Sequence, residues 1–216
     1  MPCVYRKTVA QPVFDYLKDC HRLIVLVDVT TLLAAGVGMY SDNKEILDQL
    51  INVVKPGADI MRRAVALLTS VIPVWKPGGV TRVAFVASKA DKALPKDRDR
   101  LLSLLKQMVQ KRADDVEGLE ALYAIASAIV STEPADKDGY LYGRPKKYNG
   151  KRLEPTGDMM RYDVSAAPVV WPNDWRAGDY HFPDVYPIFP KRKDAAPTQF
   201  GLNRIFDFLM DEGIAE

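Results

Sequence analysis

Four consecutive residues, Ser88, Lys89, Ala90 and Asp91, set a hydroxyl, an ammonium and a carboxylate side by side. They follow an apolar, β-branched run over residues 80–87 and precede the helix-like stretch PKDRDRLLSLLKQMVQKRA. A carboxylate at the end of such a loop can accept two hydrogen bonds at once, from the N1–H and 2-amino groups of guanine. Adenine offers an acceptor at N1 and has no 2-amino group, so the same carboxylate would be left unpaired against it. The apolar stem of the lysine can lie over the face of a base. Lys-x-Asp by itself is a weak signal, because two common residues at that spacing arise by chance about once in a chain this long. The placement between a buried strand and a helix adds weight. The charged, solvated end of a strand remains the alternative from these residues alone.

Other candidate chemistry is thinner. Cys3 and Cys20 have no C-x-x-C spacing, which disfavours both a disulfide framework and a zinc site and fits a reducing cytoplasm. His21 and His181 are too few and too far apart in sequence to suggest a histidine-based metal site. Gly36 and Gly38 lack the third glycine and the strand spacing of a dinucleotide fingerprint. Asp28 ends an apolar strand, as a metal-holding aspartate would, but a helix cap or a loop brace is the expected role. In GRPKKYNGKR the glycines Gly143 and Gly150 are too widely spaced to cradle phosphate, and no strand precedes them. Tyrosines near these basic residues could serve RNA, yet a lysine-rich hairpin edge is the simpler reading. Nucleic acid is not an expected partner.

The elements that must position these residues follow from hydrophobic spacing. RLIVLVDV, from Arg22, reads as a strand buried on both faces, because its apolar run does not alternate. Helices are expected over 12–20, 44–54, 58–75 and 95–113, and again over 201–212. Gly36, Gly38 and the Ser41–Asn43 run read as a loop, with Ser41 or Asp42 as a helix cap. Strands are expected over 80–88 and from Ala121 toward Val130. From Glu133 to Lys193 proline, glycine, lysine and aromatic residues dominate and helical periodicity vanishes. Within that stretch Trp171 and Trp175 read as packing residues, with a protein contact as the alternative. Strands alternating with helices imply an α/β fold whose mostly parallel sheet binds ligands beyond its carboxyl ends. Apolar residues make up 48% of the 216-residue chain and the net charge is +2, so bulk charge calls for neither nucleic acid nor a membrane surface. No apolar run is long enough to cross a bilayer, and a cytoplasmic protein is expected.

FVASKAD resembles the [N/T]KxD guanine-specificity element of P-loop GTPases. More particularly, LIVLVDVTTLLAAGVGMYSDN, VTRVAFVASKADKALPKDRDRL, ALYAIAS and DWRAGDYHFPDVYP, in that order, resemble the YcjX-like (DUF463) P-loop GTPase family. The resemblance runs over nearly the whole chain but maps onto only the C-terminal half of that family. It implies that residues 1–132 belong to a GTPase-like core that 198–216 close; the change in composition sets 133–197 apart as an irregular, β-rich insert, with a protein partner as one expectation. It also implies guanine nucleotide as ligand. Lys89 and Asp91 would read the base, Ser88 would brace the loop, and a backbone N–H around Ile125, Ala126 and Ser127 would reach guanine O6. Ser88 stands where Asn or Thr is usual, and its hydroxyl replaces only part of an Asn amide. GTP or GDP with Mg²⁺ is implied for a complete protein. The chain has no G-x-x-x-x-G-K-[ST] run and no D-x-x-G placed after a strand, so no catalytic residue is assigned and hydrolysis by this chain alone is not expected. A nucleotide-free interaction module that keeps the fold is the alternative.

Overall fold

The computed structural model describes residues 20–54, 80–136, 138–150, 152–192 and 194–211. The helix expected over 12–20, apart from its last residue, and the one expected over 58–75 lie outside them. Three strands, β1 (Arg22–Val27), β2 (Arg82–Ala87) and β3 (Glu120–Ile125), form a parallel sheet in the order β1-β2-β3. Val27 pairs with Ala87, and Ala87 pairs with Ile125, so all three strands end at one level. The loops that leave them therefore share one edge of the sheet.

Residues of opposite parity along β2 face opposite layers. Val83 and Phe85 join the larger core, with Leu32, Leu33, Leu47 and Ile51. These come from α1 (Val29–Ala35) and α2 (Val37–Val54). Leu101, Leu104, Leu105 and Met108 of α3 (Arg98–Asp114) complete the layer. Ala84 and Val86 face the other way and pack with Ala124, Ala126, Ile205 and Leu209. The last two belong to α4 (Leu202–Met210), which covers β2 and β3. The helices on both faces of a parallel sheet are the α/β architecture that the alternating elements imply.

Two local expectations are corrected. β1 is not buried on both faces: Ile24 is 38% and Leu26 67% exposed. They lie in register with Ala84 and Val86, on the face where α4 sits over β2 and β3. The continuous apolar run marks a strand that buries Val25 and Val27 on one side only. The stretch from Gly36 to Asn43 is not a loop, because Gly38, Ser41 and Asn43 lie within α2. The hydroxyl of Ser41 donates to the Val37 carbonyl and the Asn43 amide to that of Met39, one turn back in each case. Bonded this way, they no longer compete with the helix. Gly36 alone breaks the chain, with φ +93° and no room for a Cβ beside Ala177.

After β3 the chain enters small antiparallel elements. β4 (Thr132–Pro134), β5 (Tyr140–Gly143) and β8 (Met160–Asp163) form one sheet in the order β4-β5-β8. β6 (Lys146–Asn149) and β7 (Arg152–Pro155) pair antiparallel, so that the basic residues Lys146, Lys147 and Arg152 lie on a hairpin. The aromatic tail then returns to the core. Trp171 and Trp175 stack on each other and meet Tyr40 at a tilt, and their indole N–H groups donate to the Leu104 and Leu33 carbonyls at 2.8 and 3.0 Å. Trp175 is buried and Trp171 half-buried, and with their N–H groups satisfied both pack against the core. No helix among the described residues is long and apolar enough to cross a membrane.

The tail finally pairs with the end of β3, where Ser127 and Phe200 exchange backbone hydrogen bonds of 3.0 and 3.1 Å. Gly201 follows with φ +81°, and a Cβ there would overlap the Ile125 carbonyl oxygen. Gly118 has a similar φ of +78° but nothing within 4 Å of a built Cβ. Gly201→Ala is therefore expected to destabilise the protein by roughly 2–4 kcal/mol, against about 1 kcal/mol for Gly118→Ala. Urea unfolding of the two variants measures the difference. Equal losses would show that the close approach at Ile125 contributes nothing beyond backbone strain.

Candidate functional site

At the carboxyl edge of the sheet the loop after β2 turns back on itself. The Ser88 backbone N–H donates to the Val27 carbonyl at 2.9 Å, which holds the loop start against the end of β1. Lys89 then adopts φ +54° and ψ +33°, the one non-glycine residue among those described with positive φ. A left-handed lysine is costly by about 1 kcal/mol or more, so the surroundings must hold it. Two contacts do so. Its ammonium lies 2.8 Å from an Asp28 carboxylate oxygen, and the next residue, Ala90, donates its N–H to the Ala126 carbonyl at 3.2 Å.

Asp28 works on two elements. Its side chain caps α1 by accepting from the Thr31 N–H at 3.0 Å and the Thr30 hydroxyl at 2.7 Å, and it also pairs with Lys89. Burial alone would raise its pKa, but the hydrogen bonds from Lys89, Thr30 and Thr31 outweigh that and hold the carboxyl below its usual value. The Lys89 pKa is raised, chiefly by its hydrogen bond with Asp28 and further by the charges of Asp28, Asp184 and Asp91, against partial desolvation.

The left-handed turn directs Asp91 inward, where it is 1% exposed. One carboxylate oxygen accepts from the Ser127 hydroxyl at 2.6 Å. The other accepts from the Ser131 N–H at 2.8 Å and the Ser131 hydroxyl at 2.6 Å. The Asp91 backbone carbonyl accepts from the Thr132 hydroxyl, also at 2.6 Å. Around this knot the Arg98 guanidinium lies 4.7 Å over the Phe200 ring, where burial lowers its pKa and the Asp91 charge opposes the shift. Beside it, Lys92 and Lys146 converge on one oxygen of Asp184 at 3.2 and 2.6 Å, joining the loop to β6 and to the irregular tail.

The residues singled out from sequence thus meet at one edge. Asp91 meets Ser127, Ala126 meets the Asp91 loop through Ala90, and Ile125 ends β3 beneath Gly201. Lys89 points to Asp28 rather than to Asp91. Ser88 is placed through its backbone. Ser131 and Thr132 were not visible as site residues. Their one signal is that hydroxyls recur in the otherwise apolar run ASAIVST, and buried hydroxyls need acceptors.

A three-stranded parallel sheet flanked by helices, with braced loops at its carboxyl edge, defines an α/β protein. The chain belongs to the YcjX-like family, DUF463, whose family model matches residues 3–214. A comparison with curated proteins found no match.

Two outcomes follow from the site's polar contacts. Asp91→Ala leaves both Ser131 donors without their acceptor, while the Ser127 hydroxyl can turn to the Ile129 carbonyl at 3.1 Å; the change is expected to lower stability by roughly 2–4 kcal/mol, whereas a truncation of the exposed Asp158 should change it by less than about 0.5 kcal/mol. A lowered carboxyl pKa contributes stability that is complete above the unfolded value of about 3.9 and fades as pH falls through the lower folded value. Asp28→Asn should therefore lose less stability than the wild type between pH 7 and the acid limb, as followed by urea unfolding across pH.

Proposed function

We propose that the carboxyl edge of the sheet is the base-reading part of a guanine-nucleotide site. In this reading the Asp91 carboxylate accepts from guanine N1–H and the 2-amino group, and Lys89 covers the base with its stem. Ser127 orients the carboxylate, and backbone N–H groups near Ile125, Ala126 and Ser127 approach O6. The observation that carries it is the 2.6 Å hydrogen bond from Ser127 to Asp91, which joins the loops after two neighbouring parallel strands around one carboxylate. Family membership supports the same direction. GTP or GDP is the proposed ligand, the cytoplasm the proposed location, and residues 133–197 the proposed surface for a protein partner. Mg²⁺ is proposed only for a complete protein and enters no step of this reading. No G-x-x-x-x-G-K-[ST] run is present to cradle phosphates, and hydrolysis is not assigned to this chain.

A second reading has one observation in its favour. Asp91 is 1% exposed and already holds three donors, as a purely structural carboxylate in a nucleotide-free interaction module would. Calorimetric titration of the chain with GDP, ADP and XDP separates the two. The guanine reading predicts GDP over ADP by at least about tenfold. Asp91→Asn should shift preference toward XDP, because an amide donates to the xanthine 2-oxo group where a carboxylate is repelled. Asp91→Ala should weaken GDP by about 2–4 kcal/mol. ADP binding as well as GDP, or an XDP/GDP ratio unmoved by Asp91→Asn, would favour the nucleotide-free module.

A further inference from the structure

We infer that Ser131 is a latch that occupies the Asp91 carboxylate in place of the base and must let go for a guanine to be read. The inference rests on the base-reading proposal and adds a competitor within the chain. A carboxylate has about four acceptor directions, and three are taken here: one by the Ser127 hydroxyl and two by Ser131. The two kinds of partner differ. Ser127 lies two residues past the end of β3 and fixes one oxygen, which leaves that oxygen room for a further donor. Ser131 delivers a main-chain N–H and a hydroxyl to the other oxygen at 2.8 and 2.6 Å. A guanine presents two N–H donors side by side, one for each oxygen of a carboxylate, so it needs the oxygen that Ser131 holds. Ser131 already fills that oxygen with two donors, and the base finds no room there until Ser131 withdraws.

The latch is held from outside as well. Val130 donates its N–H to the Thr198 carbonyl, and the Val130 carbonyl accepts from the Ile188 N–H, both at 2.9 Å. The Thr132 hydroxyl bonds the Asp91 carbonyl on the other side. The segment 128–132 is thus clamped between the Asp91 turn and the tail at 186–200. Displacing that tail removes two of the supports of Ser131, so the latch answers to whatever the insert binds. Burial of Asp91 at 1% exposure is the closed state of this device.

Ser131→Ala removes the hydroxyl and keeps the backbone N–H, so the carboxylate remains partly paired and the fold has little reason to fail. GDP and ADP are titrated against the wild-type chain and Ser131→Ala, and amide hydrogen exchange at Ser131 is followed with and without saturating GDP. The latch predicts that Ser131→Ala binds GDP about tenfold tighter while ADP is unchanged. It also predicts a Ser131 amide that is protected without nucleotide and exchanges faster with GDP bound. Equal GDP affinity in both proteins, with the Ser131 amide protected throughout, overturns the latch and leaves base reading standing. GDP that binds neither protein, or binds no better than ADP, overturns base reading and the latch with it.

Discussion

One buried carboxylate organises the carboxyl edge of this fold. Asp91 is reached by donors from the end of β3 and from the segment that leads into the insert, and its own carbonyl is bonded by Thr132. A buried charge is costly unless its acceptor directions are filled. That requirement explains the surroundings: a left-handed Lys89 to aim the side chain inward, an ion pair to Asp28 to hold Lys89, and hydroxyls at Ser127 and Ser131 where the run is otherwise apolar.

The insert is tied to the core rather than hung from it. Trp171 and Trp175 dock on Tyr40 and bond the carbonyls of α3 and α1. Phe200 pairs with Ser127, and Lys92 of the loop shares Asp184 with Lys146 of the hairpin. The last two of these links run beside the Asp91 loop. Displacing the tail at Ile188 and Thr198 would remove hydrogen bonds to Val130 beside that loop.

Much of the frame was legible because it rests on local pattern. β2 lies between two strands and under helices on both faces, so its unbroken apolar run is its burial written out. Asp28 as a cap and the basic run as a hairpin follow from short-range chemistry. β1 misled because an apolar run carries no sign of which neighbour covers it, and Leu26 is exposed for want of a covering helix among the described residues. The turn from Gly36 to Asn43 misled because side chains that favour loops can also bond back within a helix. Ser131 was hidden for a different reason. Its partner lies 40 residues earlier, and no local period connects them.

The central claim is that the Asp91 carboxylate can exchange Ser131 for a base. A crystal structure of the chain grown with GDP tests it most directly. The account predicts guanine N1 and N2 within hydrogen-bonding distance of the Asp91 carboxylate, Ser127 still bonded to it, and the Ser131 N–H and hydroxyl withdrawn. A nucleotide bound elsewhere, or a base at this edge with Ser131 still holding the same oxygen through both donors, would contradict it.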